Sequence, residues 1–343
     1  MTTERLVETA TALLADDKGL LAMDESNATC NLRFAEAGIA QTEAARRAYR
    51  DLIVTAPGLN DSISGAILYD ETIRQRTDDG TRMADALVRV GIIPGIKVDT
   101  GAKDLAAHPG EKVTEGLDGL RARLHDYAEM GARFAKWRGV IAIGDGLPSG
   151  GCIAANAHAL ARYAALCQEA GLVPVVEPEV LMAGAHSLAV CQAATEAVLR
   201  CVFAHLSAQD VVLEGVLLKP NMVLPGLACA AQETVAEVAI ATVASLRRVV
   251  PAAVPGIAFL SGGQSGELAS ARLNAMNVLL KPPGARPPWA LGFSFARAIQ
   301  QPALRIWRGE AANRAAAQLA LTHRARCNRA ARRGEYSAAM ESP

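Results

Sequence analysis

The chain has 343 residues, 51% of them hydrophobic, and a formal net charge of zero. That length fits two ordinary domains or one large α/β barrel, and the neutral balance gives no support to a general nucleic-acid or membrane-surface role. No run of about 18 apolar residues suggests a membrane span, and the six His and seven Cys show neither HxxxH nor CxxC spacing nor a cluster suggesting zinc.

In chain order, MTTERLVETATALLADD reads as a short amphipathic helix without the basic and apolar regions of a signal peptide. Eight strand-like runs follow, near 19–24, 63–70, 92–99, 133–140, 172–179, 212–219, 256–262 and 289–295. Segments of helical composition lie at 42–54, 114–131, 154–170, 186–206, 229–248 and 265–278. Eight alternating units over about 300 residues predict a closed (β/α)8 TIM barrel rather than an open sheet. No linker or composition break divides 15–310, so residues 1–343 are expected to form a single domain with its barrel core at about 15–310. The Ala- and Arg-rich segment 310–335 reads as a solvated terminal helix, and YSAAMESP after it as a frayed tail. The irregular, odd set of cysteines reads as free thiols in a reducing cytosol.

Polar residues gather at strand ends. Asp24, Lys97, Asp99, Lys136, Arg138, Glu177, Glu179, Lys219 and Ser261 fall at or near C-terminal ends of the predicted strands, which a barrel brings round one mouth. The basic residues are 28 Arg and only seven Lys, yet Lys97, Lys136 and Lys219 all sit in apolar runs. Arginine stays protonated, whereas a desolvated lysine can lose its proton and attack a carbonyl. VLLKP occurs twice, at 216–220 and 278–282. Lys219 closes a strand and is the candidate Schiff-base nucleophile; Lys281 follows a helical pattern and reads as exposed in a helix end or loop.

Lys136 is the candidate neighbouring cation that favours the neutral amine, or else half of a structural ion pair with Asp99 or Glu177. Glu177 and Glu179 follow the wholly apolar GLVPVV and supply buried carboxylates for proton transfer. Asp24 is a further base or an N-cap. In FLSGGQS, Ser261, Gly262 and Gly263 can turn backbone N–H groups toward an anion, with Arg297 as a clamp. Ser26, Thr29 and Arg33 can hold a second phosphate across the mouth. Six cations (Arg33, Lys97, Lys136, Arg138, Lys219, Arg297) then face four anions (Asp24, Asp99, Glu177, Glu179), a locally positive cleft suited to a phosphorylated substrate.

LLAMDES, GIKVDTG, GARFAKWR, GLVPVVEPE, EGVLLKPNM, FLSGGQS and PWALGFSFARA, in this order, closely resemble the class I fructose-bisphosphate aldolases over about 15–310. The resemblance implies a (β/α)8 barrel and metal-independent, reversible cleavage of fructose 1,6-bisphosphate to dihydroxyacetone phosphate and glyceraldehyde 3-phosphate, in glycolysis, gluconeogenesis or the Calvin cycle. It implies no cofactor, phosphorylated ketose and triose substrates, no nucleic-acid or membrane partner, a cytoplasmic location and a homotetramer. By its motifs Lys219 forms the Schiff base, Glu177 is the acid/base of carbinolamine formation and dehydration, and Asp24 takes the C4 hydroxyl proton. Lys136 and Glu179 support the site electrostatically, with Arg138 nearby. Ser261, Gly262, Gly263 and Arg297 match the C1-phosphate site; Ser26, Thr29 and Lys97 lie near the C6 phosphate.

Three departures stand out. Ala28 replaces a family glycine beside the C6-phosphate site, which leaves sedoheptulose 1,7-bisphosphate open as the preferred substrate. Ala296 precedes Arg297 where the family commonly has Gly, and a backbone contact to the C1 phosphate persists there if its φ is negative. Many members end in a terminal Tyr that assists proton transfer on the enamine; here the last Tyr is Tyr336, so that exchange is expected to be slower or handled by another group. A phosphate-binding scaffold without turnover is the non-enzymatic alternative, opposed by the intact Lys219, Lys136 and Glu177.

Overall fold

A computed structural model gives the architecture and describes residues 3–341 apart from 283, 285 and 286. Part of the PPGARPP segment after Lys281 and tail residues 342 and 343 thus lie outside the described residues. Ten strands are present among those described: β1 (Gly19–Ala22), β2 (Ile63–Leu68), β3 (Ile93–Lys97), β4 (Gly101–Asp104), β5 (Lys112–Glu115), β6 (Phe134–Ile141), β7 (Val173–Val180), β8 (Leu217–Leu218), β9 (Gly256–Phe259) and β10 (Ala290–Phe295). Eight close into a parallel barrel in the order β1-β10-β9-β8-β7-β6-β3-β2, with helices on the outside, so the predicted (β/α)8 barrel is the observed fold.

The strands alternate with period two, as a pleated backbone requires. Leu20, Ala22, Phe134, Val173, Val175, Leu217 and Ala258 fill the barrel interior, while Leu21, Ala135, Trp137, Val176, Leu218, Ile257 and Phe259 pack outward on the helices. The N-terminal helix Thr3–Ala12 and the residues after it plug the interior from below through Leu6, Ala10, Leu13 and Leu14. Glycine is required where that filling comes close: a Cβ at Gly256 would collide with Leu14, and one at Gly95 with the Phe134 ring. The bottom of the barrel is therefore solid, which leaves the opposite end for chemistry.

Four expectations need correction. The helix expected at 114–131 begins only at Leu120, and residues 112–115 instead pair antiparallel with β4 in a hairpin over the mouth. Gly116 (φ 126°) and Gly119 (φ 66°) force that break. The run 212–219 forms a 3-10 turn, Leu213–Gly215, packed at Gly215 against Leu6 of the plug, and then only a two-residue strand. Helix Arg314–Arg333 is not a solvated appendage: Ala317, Leu321, Ala325 and Ala331 are buried, as are Arg324 and Arg332. The tail is not frayed as far as Glu341, because Ala338–Glu341 forms a 3-10 turn held by Arg324.

Helix Leu188–Ala208 is long and apolar enough to cross a membrane by length and composition, but here it packs on β7 and the neighbouring helices.

Candidate active site

The inward parity of the strands continues to the mouth, where the side chains change from apolar to charged. Lys136 follows Phe134 on β6, Glu177 and Glu179 follow Val175 on β7, and Lys219 follows Leu217 just past β8. Register completes the row. Lys136 pairs across from Val175, Arg138 from Glu177, and the Lys219 amide donates to the Val176 carbonyl at 2.8 Å. Three adjacent strands thus set Lys136, Glu177 and Lys219 side by side, each 3% exposed.

Glu177 bridges the two amines. Lys219 Nζ lies 2.9 Å from Glu177 Oε1, and Lys136 Nζ lies 3.2 Å from Oε2. Asp24, just beyond β1, reaches across the mouth to Lys136 at 2.8 Å. The structural partners of Lys136 are therefore Asp24 and Glu177; Asp99 instead pairs with Lys97 at 2.7 Å. Arg138 is ion-paired with Glu179, and its backbone N–H donates to Asp99 at 3.3 Å.

Burial alone would push the Asp24 carboxyl up, but the ammonium groups of Lys136 and Lys219 outweigh it and hold it well below the usual carboxylate range. The same contest, burial against Lys136 and Lys219, lowers Glu177. Burial pulls Lys136 down, yet Asp24 and Glu177 prevail and keep it protonated above the ordinary amine value.

A cavity of about 1160 Å³ opens above this row, and every predicted site residue lines it. On one flank, Ser261 follows two residues after β9, with Gly262 (φ 57°) and Gly263 (φ 88°) in the left-handed region. The chain then enters helix Gly266–Leu279, capped by Ser265. The Arg297 guanidinium lies beside Gly263, at the first turn of helix Arg297–Trp307, and pairs with no carboxylate among the described residues. Two helix N-termini, a glycine turn and an unpaired cation make an anion site. Ala296 has φ −104°, the condition for its backbone contact.

On the other flank, Ser26 caps helix Asn27–Glu36, accepting from the Thr29 N–H at 3.3 Å, with the two hydroxyls 3.1 Å apart. Ala28 sits in the first turn of this helix and is not among the residues with positive φ, so the backbone there does not call for glycine. Arg33 reaches the cavity wall with its guanidinium paired to Glu25, which Arg50 also holds at 2.8 Å.

The family model for class-I fructose-bisphosphate aldolase matches residues 5–343. The chain belongs to the class-I fructose-bisphosphate aldolase family. The probable fructose-bisphosphate aldolase class 1 of Xanthomonas axonopodis pv. citri is 55% identical over 337 residues, covering 98% of this chain and 99% of the relative. The cytosolic fructose-bisphosphate aldolase 5 of Arabidopsis thaliana is 49% identical, covering 97% and 92%. A solved structure of fructose-bisphosphate aldolase from Plasmodium falciparum, in complex with TRAP and a small-molecule inhibitor, superposes with a TM-score of 0.95 at 47% identity, covering 97% of this chain and 95% of that one. An aldolase of this class is a lyase that works through a lysine Schiff base.

Several features of this aldolase escaped the sequence reading. Ser294 continues the inward parity of β10 and lines the cavity with a buried Oγ that has no partner among the described residues. Its place two residues after Gly292 in GFSFAR was the available signal. Glu25 is a further acid lining the cavity: burial raises its carboxyl, but Arg50 and Arg33 lower it further. Gln300 ties that acid to the barrel, donating to Glu25 Oε1 at 2.9 Å and to the Ala22 carbonyl at 2.6 Å. Lys281, as expected, is exposed, and it donates to the Gly334 carbonyl at 3.1 Å. The Tyr336 hydroxyl donates to Glu341 at 2.6 Å, and Tyr336 itself is not among the residues lining the cavity.

Proposed function

We propose that Lys219 attacks the C2 carbonyl of fructose 1,6-bisphosphate, with the observation carrying this being the Lys219–Glu177–Lys136 row at the floor of an otherwise phosphate-suited cleft. Glu177, 2.9 Å from Nζ, takes the proton that Lys219 must lose before its amine can attack, and returns it to the carbinolamine hydroxyl, which leaves as water as the nitrogen lone pair forms the iminium. Asp24, kept ionised by Lys136 and Lys219, is in the form that accepts the C4 hydroxyl proton. The C3–C4 bond then breaks, its electron pair moves into the iminium to give the enamine, and the aldehyde product departs. A proton returned to C3 and hydrolysis of the iminium release the ketose phosphate and restore the amine. Lys136 stays cationic throughout and, with Glu179 and Arg138, fixes the charge around the reacting atoms.

Borohydride reduction in the presence of the bisphosphate tests this. The mass adduct is expected on Lys219; an adduct on Lys136 or Lys97 overturns the assignment.

The two phosphates are assigned to the two flanks, C1 to Ser261, Gly262, Gly263 and Arg297, and C6 to Ser26, Thr29 and Lys97, with Arg33 at the rim. A charge-assisted pair to Arg297 is worth about 1.5–3 kcal/mol. Arg297→Ala is therefore expected to lower kcat/KM for the bisphosphate about ten- to hundredfold, and to change little with a ketose that lacks the C1 phosphate. Equal losses on both substrates would reject the assignment.

The whole chain is proposed to act as one barrel domain, with 310–343 as its C-terminal helix and tail. A homotetramer and a cytoplasmic location rest on the resemblance alone. A light-scattering mass of a single chain refutes the tetramer, and recovery of the protein outside the cytoplasmic fraction refutes the location.

A further inference from the structure

Helix Arg314–Arg333 sets His323 and Cys327 one turn apart on its tail-facing side, and the 3-10 turn Ala338–Glu341 brings Glu341 against them. His323 Nε2 and Cys327 Sγ are 3.7 Å apart, and these two atoms and a Glu341 carboxylate oxygen all lie within 4.8 Å of one another. Nitrogen and sulfur ligands bound at about 2.0–2.3 Å round a tetrahedral zinc stand roughly 3.3–3.8 Å apart. The His–Cys pair is already at that spacing, and a Glu341 carboxylate oxygen within 4.8 Å of both supplies the third donor.

The surroundings of the cluster are those of a supported ligand set. Arg324 Nη1 holds both Glu341 oxygens at 2.5 Å, and the Tyr336 hydroxyl donates to Oε1 at 2.6 Å. Such outer contacts orient a ligating carboxylate. The tail itself is pinned where the Tyr336 N–H donates to Asn274 Oδ1 at 2.9 Å. Cys327 is fully buried.

We propose that His323, Cys327 and Glu341 form a divalent-metal site, with water in the fourth position, that staples the tail to this helix. The mixed N, S, O donor set suits Zn²⁺ rather than Mg²⁺ or Ca²⁺, which prefer oxygen alone. On binding, Sγ forms the bond to the metal and the Cys327 thiol proton passes to solvent, so thiolate and carboxylate together neutralise the ion. The site lies outside the Schiff-base machinery but not out of its reach, because Arg324, the partner of Glu341, lines the rim of the substrate cavity beside Gly266. A second His/Cys pair one turn apart, Cys201 and His205 at 3.6 Å, has no third ligand in reach among the described residues and serves as the internal control.

Titration of the full-length, chelator-treated enzyme with Co²⁺ tests the proposal. Stoichiometric cobalt is expected to give a thiolate-to-metal charge-transfer band and tetrahedral d–d bands, both removed by Zn²⁺. The band should vanish in Cys327→Ser and in His323→Ala, persist in Cys201→Ser, and require at least about tenfold more cobalt in Glu341→Gln. The His323 variant, at a half-buried position, carries the test if Cys327→Ser does not fold. No band at stoichiometric cobalt, a band that survives His323→Ala, or one lost in Cys201→Ser overturns the site.

Discussion

Lys219→Met is expected to lower kcat by roughly 10⁴-fold or more while the enzyme still binds its bisphosphate. The size follows from losing the covalent intermediate, since the other amines at the mouth, Lys136 paired with Asp24 and Glu177 and Lys97 paired with Asp99, do not take over the iminium that accepts electrons from the breaking bond. Binding persists because the change leaves intact the residues proposed to hold the two phosphates, among them Ser26, Lys97, Ser261 and Arg297. The fold tolerates the change because Glu177 keeps Lys136 as a counterion at 3.2 Å. Lys219→Arg separates charge from chemistry. It restores a cation beside Glu177, yet guanidinium does not deprotonate, so this variant should be as inactive as the methionine one. Steady-state and single-turnover kinetics, with borohydride trapping on each variant, measure both effects. Substantial turnover in Lys219→Arg would mean that the position supplies only positive charge.

Much of this site could be read from the sequence because a strand fixes two things at once. Period two decides which side chains face inward, and the strand end decides which of them reach the mouth. Phe134–Lys136, Val175–Glu177 and Leu217–Lys219 each show the same change from apolar to charged two residues on. What could not be read was which charge meets which. Asp24 and Lys136 sit on strands separated by β2 and β3, so their contact across the mouth depends on closure of the barrel.

The β4–β5 hairpin was missed because Lys112–Glu115 has too few residues to show a period, and the helical residues after Gly119 dominated its window. The buried face of helix Arg314–Arg333 was missed because alanines gave little hydrophobic contrast against six arginines. Two of those arginines are buried, one on Glu341 and one on the carbonyls of Leu14 and Lys18. Composition does not reveal partners so distant along the chain.

Lys136→Met is expected to cost about 3–5 kcal/mol of stability at neutral pH, because it leaves Asp24 and Glu177 buried with one of their two cations gone. The pH dependence should change sign with it. In the intact enzyme Asp24 is depressed, so its contribution is present above the unfolded carboxylate value of about 3.9 and is lost only as pH falls through the lower folded value. Lys136 is raised, so its contribution is full below the unfolded amine value of about 10.4 and is lost as pH rises through the higher folded value. The ion pair therefore stabilises the fold across the whole range between.

Without Lys136, burial dominates and both carboxyls move up. The folded variant then binds protons more tightly than its unfolded chain, and its stability deficit shrinks as pH is lowered from 7 toward 5. Catalysis is expected to follow the same shift, since the role proposed for Asp24 as base needs it ionised. The acid limb of kcat should therefore move toward neutral pH, with a loss of about 10²-fold or more at pH 7. Urea unfolding at pH 5 and 7, alongside the pH profile of kcat, provides the measurement. If the acid limb stays where it is in the intact enzyme, Lys136 does not set the charge state of Asp24, and its place in the row is structural only.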